Sequence, residues 1–254
     1  MKEQIDKILF EGKVTTWFQP IINLQKNIII GYEALARGPA GRYHLPYKLF
    51  EKAKKRGLLV ELERACLKSA LDSASHLDPE LKIFVNFNPS QVEEVLKTIR
   101  SMNGNSIKPD RIVFEMTEHS RINNYDKLLE NCRFLKNNGY LLAIDDVGSG
   151  YDRLRSIAEF DPEYIKIDRP LVSGSVVNNG SFKVVVKNVV ALANEVGCAI
   201  IAEGIETHEE LKLMRSLGIT LGQGYLFSRP VPVDLLHNKN QQINTSSGGC
   251  YYGR

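Results

Sequence analysis

Short apolar runs alternate along this chain with longer stretches whose apolar residues recur at helical spacing, and that alternation predicts the architecture. After an amphipathic lead over residues 5–10, residues 16–24 and 28–36 read as two β-runs separated by Gln25, Lys26 and Asn27. So short a connection makes a hairpin, and hence an antiparallel pair. Over residues 46–77 the period becomes helical, with a break at Gly57 and with Leu58, Leu62, Ala65, Leu67 and Leu71 approximating one face. Two successive helices are predicted there. Further strands are predicted at 82–86, 111–115, 141–145, 164–167, 199–203 and 222–227, with helices between them at 90–102, 125–138, 153–160, 182–196 and 207–217. Gly139, Gly197 and Gly218 stand where helix C-termini are expected.

Strands alternating with helices argue for a parallel sheet, and about eight strands in a chain of this length argue that the sheet closes. The expected fold is therefore α/β, a (β/α)8-like barrel of TIM type with an antiparallel first strand. An open doubly wound sheet is the alternative, but no GxGxxG turn follows the first strand. One domain is expected over 1–237, and the polar, glycine-containing stretch 238–254 is expected to be a disordered tail.

Composition narrows the function classes. A formal charge of +3 with 25% charged residues calls for neither nucleic acid nor an anionic membrane, and Lys52, Lys54, Lys55 and Arg56 read as a solvated helix face. No apolar run approaches the roughly 18 residues of a membrane span, and residues 1–12 lack the apolar core of a signal peptide. Cys66, Cys132, Cys198 and Cys250 form no CxxC or Cys/His pattern, so neither a disulfide framework nor a zinc site is indicated. A soluble, cytoplasmic protein is expected. His44, His76, His119, His208 and His237 share no ligand spacing and read as surface or loop residues.

The chemistry stands where strand runs stop. LLAIDDVGSG, residues 141–150, is a buried strand ending in Asp145 and Asp146; alone, such a pair most simply caps the next helix. Its counterparts on other strands change that reading. Asn86, Glu115, Lys166 and Glu203 end their own runs, Gln223 lies near the last, and Glu33 sits inside the second. In a barrel the C-terminal strand ends converge on one mouth. Strand alternation in YIKID puts Lys166 and Asp168 on the side opposite Ile165 and Ile167, so Lys166 points into that mouth. Glu33, Glu115, Asp145, Asp146 and Glu203 would then crowd together, and each like-charge pair at about 4 Å costs roughly 4 kcal/mol at an effective dielectric near 20. One lysine cannot neutralise them; two divalent cations and Lys166 can. An all-oxygen donor set suits Mg²⁺ or Mn²⁺, and two such ions clamp a phosphoryl group for attack by water.

In order along the chain, WFQPI, YEALAR, VNFNPS, FEMTE, DDVGSGY, YIKID, AEGIET and QGYLFSRP resemble the motifs of the EAL domain family of bacterial cyclic di-GMP phosphodiesterases. The resemblance runs from about Trp17 to Pro230. It implies hydrolysis of one phosphodiester bond of cyclic di-GMP to linear pGpG. It further implies that Glu33, Asn86, Glu115 and Asp145 hold one ion while Asp145, Asp146 and Glu203 hold the other. Lys166 would orient or deprotonate the attacking water, with Glu33, Glu203 and Gln223 in the same catalytic shell. Gln19, Arg37 and Asp168 would bind substrate, and Glu118 would steady the loop after Asp146. It also implies inhibition by Ca²⁺ and a homodimer. Asn88 and Val147 depart from the family pattern without removing a ligand. The alternative function is a catalytically silent cyclic di-GMP receptor acting through a protein partner. Silent members typically lack some of these acids, and here every one is present.

Overall fold

The computed structural model describes residues 4–102, 107–116, 125–147, 153–177 and 180–236. In chain order the elements are α1 (Gln4–Phe10), β1 (Thr15–Asn23), β2 (Ile28–Arg37), α2 (Pro46–Arg56), α3 (Leu59–Ala74), β3 (Lys82–Phe87), α4 (Val92–Ser101), β4 (Ile112–Met116) and α5 (Tyr125–Asn137). There follow β5 (Leu141–Val147), α6 (Arg153–Phe160), β6 (Tyr164–Ile167), α7 (Arg169–Val177), α8 (Ser181–Val196), β7 (Ala199–Ala202), α9 (His208–Ser216), β8 (Leu221–Gly222) and β9 (Val231–Pro232). The segment expected to be a tail, 238–254, lies outside the described residues.

Strands β2 to β8 run parallel in sequential order, and β1 closes the ring by pairing antiparallel with both β2 and β8. The result is the closed barrel with an antiparallel first strand that the sequence predicts. Parallel strands covered by helices outside and packed against one another inside bury both faces, which is why they read as near-continuous apolar runs. Strand alternation sorts those runs into two layers. Ile83, Val85, Ile112, Phe114, Leu142, Ile144, Ile165 and Ile200 face the helices. Ile21, Phe84, Val113, Ala143, Ile201 and Leu221 fill the barrel interior as a floor. Two residues beyond Phe84, Val113, Ala143 and Ile201 come Asn86, Glu115 and Asp145 on their strands and Glu203 just past the end of β7. A period of two therefore stacks a polar layer on that floor.

Three elements differ from the sequence-based expectation, one of them the short β9, which lies beyond the last predicted strand and pairs with β1. A helix, α7, occupies 169–177, where no helix is predicted; its glycine, valines and serines are poor helix formers. Packing supplies what propensity lacks: Gly174 lies so close to the Phe182 ring that a Cβ there would be 3.0 Å from it. The helix also has a start signal, because Asp168 Oδ1 accepts from Leu171 N at 3.0 Å and Pro170 follows within the first turn. The last strand, expected over 222–227, is only Leu221–Gly222. After Gly222 the backbone leaves the ladder: Ile205 N donates to Gln223 O and Leu226 N to Ile205 O, each at 3.0 Å. Gly224 permits that approach, since a Cβ there would stand 2.1 Å from the Ile205 carbonyl oxygen. Among the described residues no helix is long and apolar enough to cross a membrane.

Candidate active site

Lys166 is the centre of the polar layer and is fully buried. Its Nζ lies 2.7 Å from Glu115 Oε1, 2.5 Å from Glu203 Oε1, 3.7 Å from Glu33 Oε2 and 3.8 Å from Asp145 Oδ1. Acids from four different strands or strand ends thus meet one ammonium, as convergence on a barrel mouth requires. Burial on its own would drive Lys166 towards its neutral form, but Glu115, Glu203, Glu33 and Asp145 together outweigh it and hold the ammonium well above its ordinary pKa. The acids carry the corresponding cost. Glu115, also fully buried, is raised well above the carboxylate range by burial, opposed by Lys166 and reinforced by Glu33 and Asp145. Glu203 is pushed up to about 7, first by burial and then by Asp145 and Glu33, against the pull of Lys166.

Asp145 and Asp146 are consecutive, and simple strand alternation would send them to opposite faces. The register of β5 against β6 shifts between Ile144 and Val147, and Asp146 adopts a left-handed backbone with φ 53°. That irregularity turns both carboxylates towards the mouth. Asp is among the residues that tolerate this conformation, and Asp145 Oδ1 accepts from Asp146 N at 2.9 Å, which steadies the turn. One oxygen from each of Asp145, Asp146 and Glu203 then lies within 4.8 Å of the others, a spacing suited to one cation.

Glu33 is held at Oε2, the same oxygen that lies 3.7 Å from Lys166 Nζ. Gln223 Nε2 donates to Glu33 Oε2 and also, at 2.8 Å, to Gln19 Oε1, while Gln19 Nε2 donates to Ser228 O at 2.9 Å. Gln19 and Gln223 are both buried. Arg37, at the end of β2, has its guanidinium carbon 5.3 Å from the Trp17 ring centroid. Burial lowers its pKa, and Tyr225 and Glu33 oppose that shift. Asp168 uses one carboxylate oxygen to start α7, as described above, and Asn86 is exposed at the end of β3. Glu118 and the glycines at 148 and 150 lie outside the described residues.

Two features were not singled out from sequence. The Ser228 carbonyl is a backbone group and has no sequence signature. Glu63 is a partly buried acid on α3, pushed up to about 7 by burial and hydrogen-bonded to Asn88, two residues beyond Asn86. In sequence it is one of several acids on an amphipathic helix, and nothing marks it. Val147, the smaller residue of the departing motif, is buried and pairs with Ile167.

The donor set fits divalent cations. Glu115 Oε2 and Gln223 Oε1 are buried without a hydrogen-bond partner among the described residues. The surrounding ligand atoms are oxygens, and burial followed by the neighbouring carboxylates pushes Glu115 and Glu203 towards neutrality against the pull of Lys166. Hard cations taking oxygen ligands answer all three observations.

Residues 3–230 match the family model for the EAL domain. A probable cyclic di-GMP phosphodiesterase, PdeG of Escherichia coli (strain K12), is 31% identical over 248 residues, covering 92% of this chain and 48% of the relative. This chain therefore spans about half the length of that protein. Among solved structures, a complex of the phosphodiesterase PaMucR with cyclic di-GMP has a TM-score of 0.80 at 26% identity, covering 91% of this chain and 97% of that one. A manganese and cyclic di-GMP complex of Klebsiella pneumoniae BlrP1 has a TM-score of 0.77 at 30% identity, covering 87% and 57% respectively.

Proposed function

This chain belongs to the EAL domain family, and from that premise we propose that it hydrolyses cyclic di-GMP to linear pGpG with the help of two divalent cations, Mg²⁺ or Mn²⁺. The observation that carries the reading is the arrangement of Glu33, Glu115, Asp145 and Glu203 around the buried Lys166. Such a cluster is costly as a structural device and useful as a cradle for cations. Relatives named as cyclic di-GMP phosphodiesterases, and neighbours solved with cyclic di-GMP, supply the substrate class.

Glu33, Asn86, Glu115 and Asp145 would hold one cation, and Asp145, Asp146 and Glu203 the other. When bound, the cations supply Lewis acidity towards the phosphoryl group and the attacking water. The chain's own residues do the rest. Lys166 orients the water and offsets charge among the carboxylates, and Gln223 fixes Glu33 through the hydrogen bond already described. Arg37 faces the substrate phosphate with a forked set of donors that cannot lose their charge at neutral pH. Asp168 contacts the substrate through the carboxylate oxygen not spent on α7, and Glu118 steadies the loop beyond Asp146. Water adds to phosphorus as one P–O ester bond breaks, and the freed ribose hydroxyl takes a proton.

A single domain over 1–237, a cytoplasmic location and a homodimer complete the reading. Cys66, Cys132 and Cys198 are free thiols, which suits a reducing compartment. The test is incubation with cyclic di-GMP and either Mg²⁺ or Mn²⁺, followed by chromatography for pGpG. Product is expected with both ions and suppressed by Ca²⁺, whose coordination is larger and less strict. Nucleotide binding with no product under either ion would overturn the enzyme in favour of a receptor.

A further inference from the structure

Gln19 stands outside the acidic cluster, yet its position is set by the cluster's own strand. It lies on β1 directly opposite Glu33 of β2 in the antiparallel ladder. Directly opposed residues project to the same face with Cβ atoms about 4.5–5.5 Å apart. Both polar ends of the Gln19 amide are already engaged, with Ser228 O as acceptor on one side and Gln223 Nε2 as donor on the other. The donor direction along this line is fixed at its Ser228 end. A backbone carbonyl only accepts, so Gln19 turns its nitrogen to Ser228 and its oxygen to Gln223 Nε2. Turning the Gln19 amide over would set oxygen against the Ser228 carbonyl and nitrogen against Gln223 Nε2.

We propose that Gln19 is a positioning residue for the cation site, acting through Gln223 on Glu33, in place of the substrate contact that the family resemblance implies for it. The inference rests on the part of the phosphodiesterase reading that makes Glu33 a cation ligand. Gln223 needs the bracket. It follows a strand of two residues, and its Oε1 is buried with no partner among the described residues. Without Gln19 it retains one side-chain hydrogen bond, to Glu33, and nothing fixes the plane of its amide. Glu33 Oε2 then loses a fixed donor.

Partners behind a metal ligand typically change metal affinity 10–100-fold when removed. Gln19→Leu keeps the volume and removes both hydrogen bonds. Gln19→Asn keeps an amide too short to reach Ser228 and Gln223 together. In the full chain both variants are expected to bind Mn²⁺ about 10-fold or more weakly by calorimetric titration without nucleotide, while KM for cyclic di-GMP at saturating Mn²⁺ stays within about 2-fold of the parent. Should Gln19→Leu fail to show a cooperative thermal transition, Gln19→Asn carries the test. Parental Mn²⁺ affinity together with a KM raised 10-fold or more would make Gln19 a substrate contact and overturn the proposal. A parent protein that binds Mn²⁺ but yields no pGpG would defeat the phosphodiesterase reading instead, and the Mn²⁺ titrations would still decide the role of Gln19.

Discussion

Asp145→Ala is expected to lower cyclic di-GMP turnover on the order of 10³-fold, equivalent to about 4 kcal/mol of transition-state stabilisation. Asp145 is the residue assigned to both cations, so its loss removes a ligand from each and the only carboxylate shared between them. It also removes one of the acids facing Lys166, 3.8 Å away. Glu33→Ala removes a ligand from one cation alone and should be the milder of the two. His76→Ala, at an exposed position after α3, is the control and should turn over like the parent. The check is the initial rate of pGpG formation at saturating Mn²⁺. If Asp145→Ala stayed within about 3-fold of the parent, the assignment of the shared ligand would fail.

Lys166→Met should have the largest effect on stability. It leaves Glu115 fully buried and without its counter-charge. Removing one partner of a buried ion pair costs roughly 3–5 kcal/mol, because the surviving charge is stranded. That loss should appear in urea unfolding of the cation-free protein. The sign of its pH dependence follows from the raised carboxyl groups. Glu115 and Glu203 bind protons more tightly in the folded state than in the unfolded one, so the folded state gains stability as pH falls and loses it as pH rises. Deleting the ammonium deepens this, and the loss should be smaller at pH 5 than at pH 8. Lys166→Met combined with Glu115→Gln removes both charges and should recover more than half of the loss. Simple additivity of the two substitutions would contradict the pairing.

The barrel was legible because its physics is repetitive. Strands buried on both faces are written as apolar runs, and the polar layer falls at the same phase of a period-two pattern in β3, β4, β5 and β7. The inward direction of Lys166 follows from YIKID alone. Other features depend on contacts that no local pattern encodes. Alternation assigns Asp146 to the wrong face, and only the irregularity of β5 with φ 53° brings it beside Asp145. Helix α7 forms from residues of low helix propensity because Gly174 packs against Phe182 and Asp168 caps its start. The last strand looks apolar enough to continue, yet the backbone of Ile205 takes up the hydrogen bonds that the ladder would have used. Gln19 reads in sequence as one more polar residue in a strand. Its place becomes clear only when β1 is seen to run opposite Glu33.

The two-residue length of β8 makes the ring unequal in strength. On one side of β1 the ladder with β2 extends over nine residue pairs, whereas on the other it meets β8 through only Ile22 with Gly222 and Asn23 with Leu221. Leu24 N to Thr220 O at 2.8 Å adds one backbone bond to the β8 contact, and β9 pairs with β1 further along through Trp17 with Pro232 and Phe18 with Val231. Native-state openings follow the weakest local cooperativity, so the cylinder should breathe first along the β1–β8 line. Amide hydrogens of Leu221 and Gly222 should exchange with solvent deuterium sooner than those of Ile112 to Phe114; protection as long-lived as in that central strand would refute it. Each such opening would part Gln223 from Glu33, so the gap through which the barrel loosens is also the hinge on which a carboxylate of its mouth comes free.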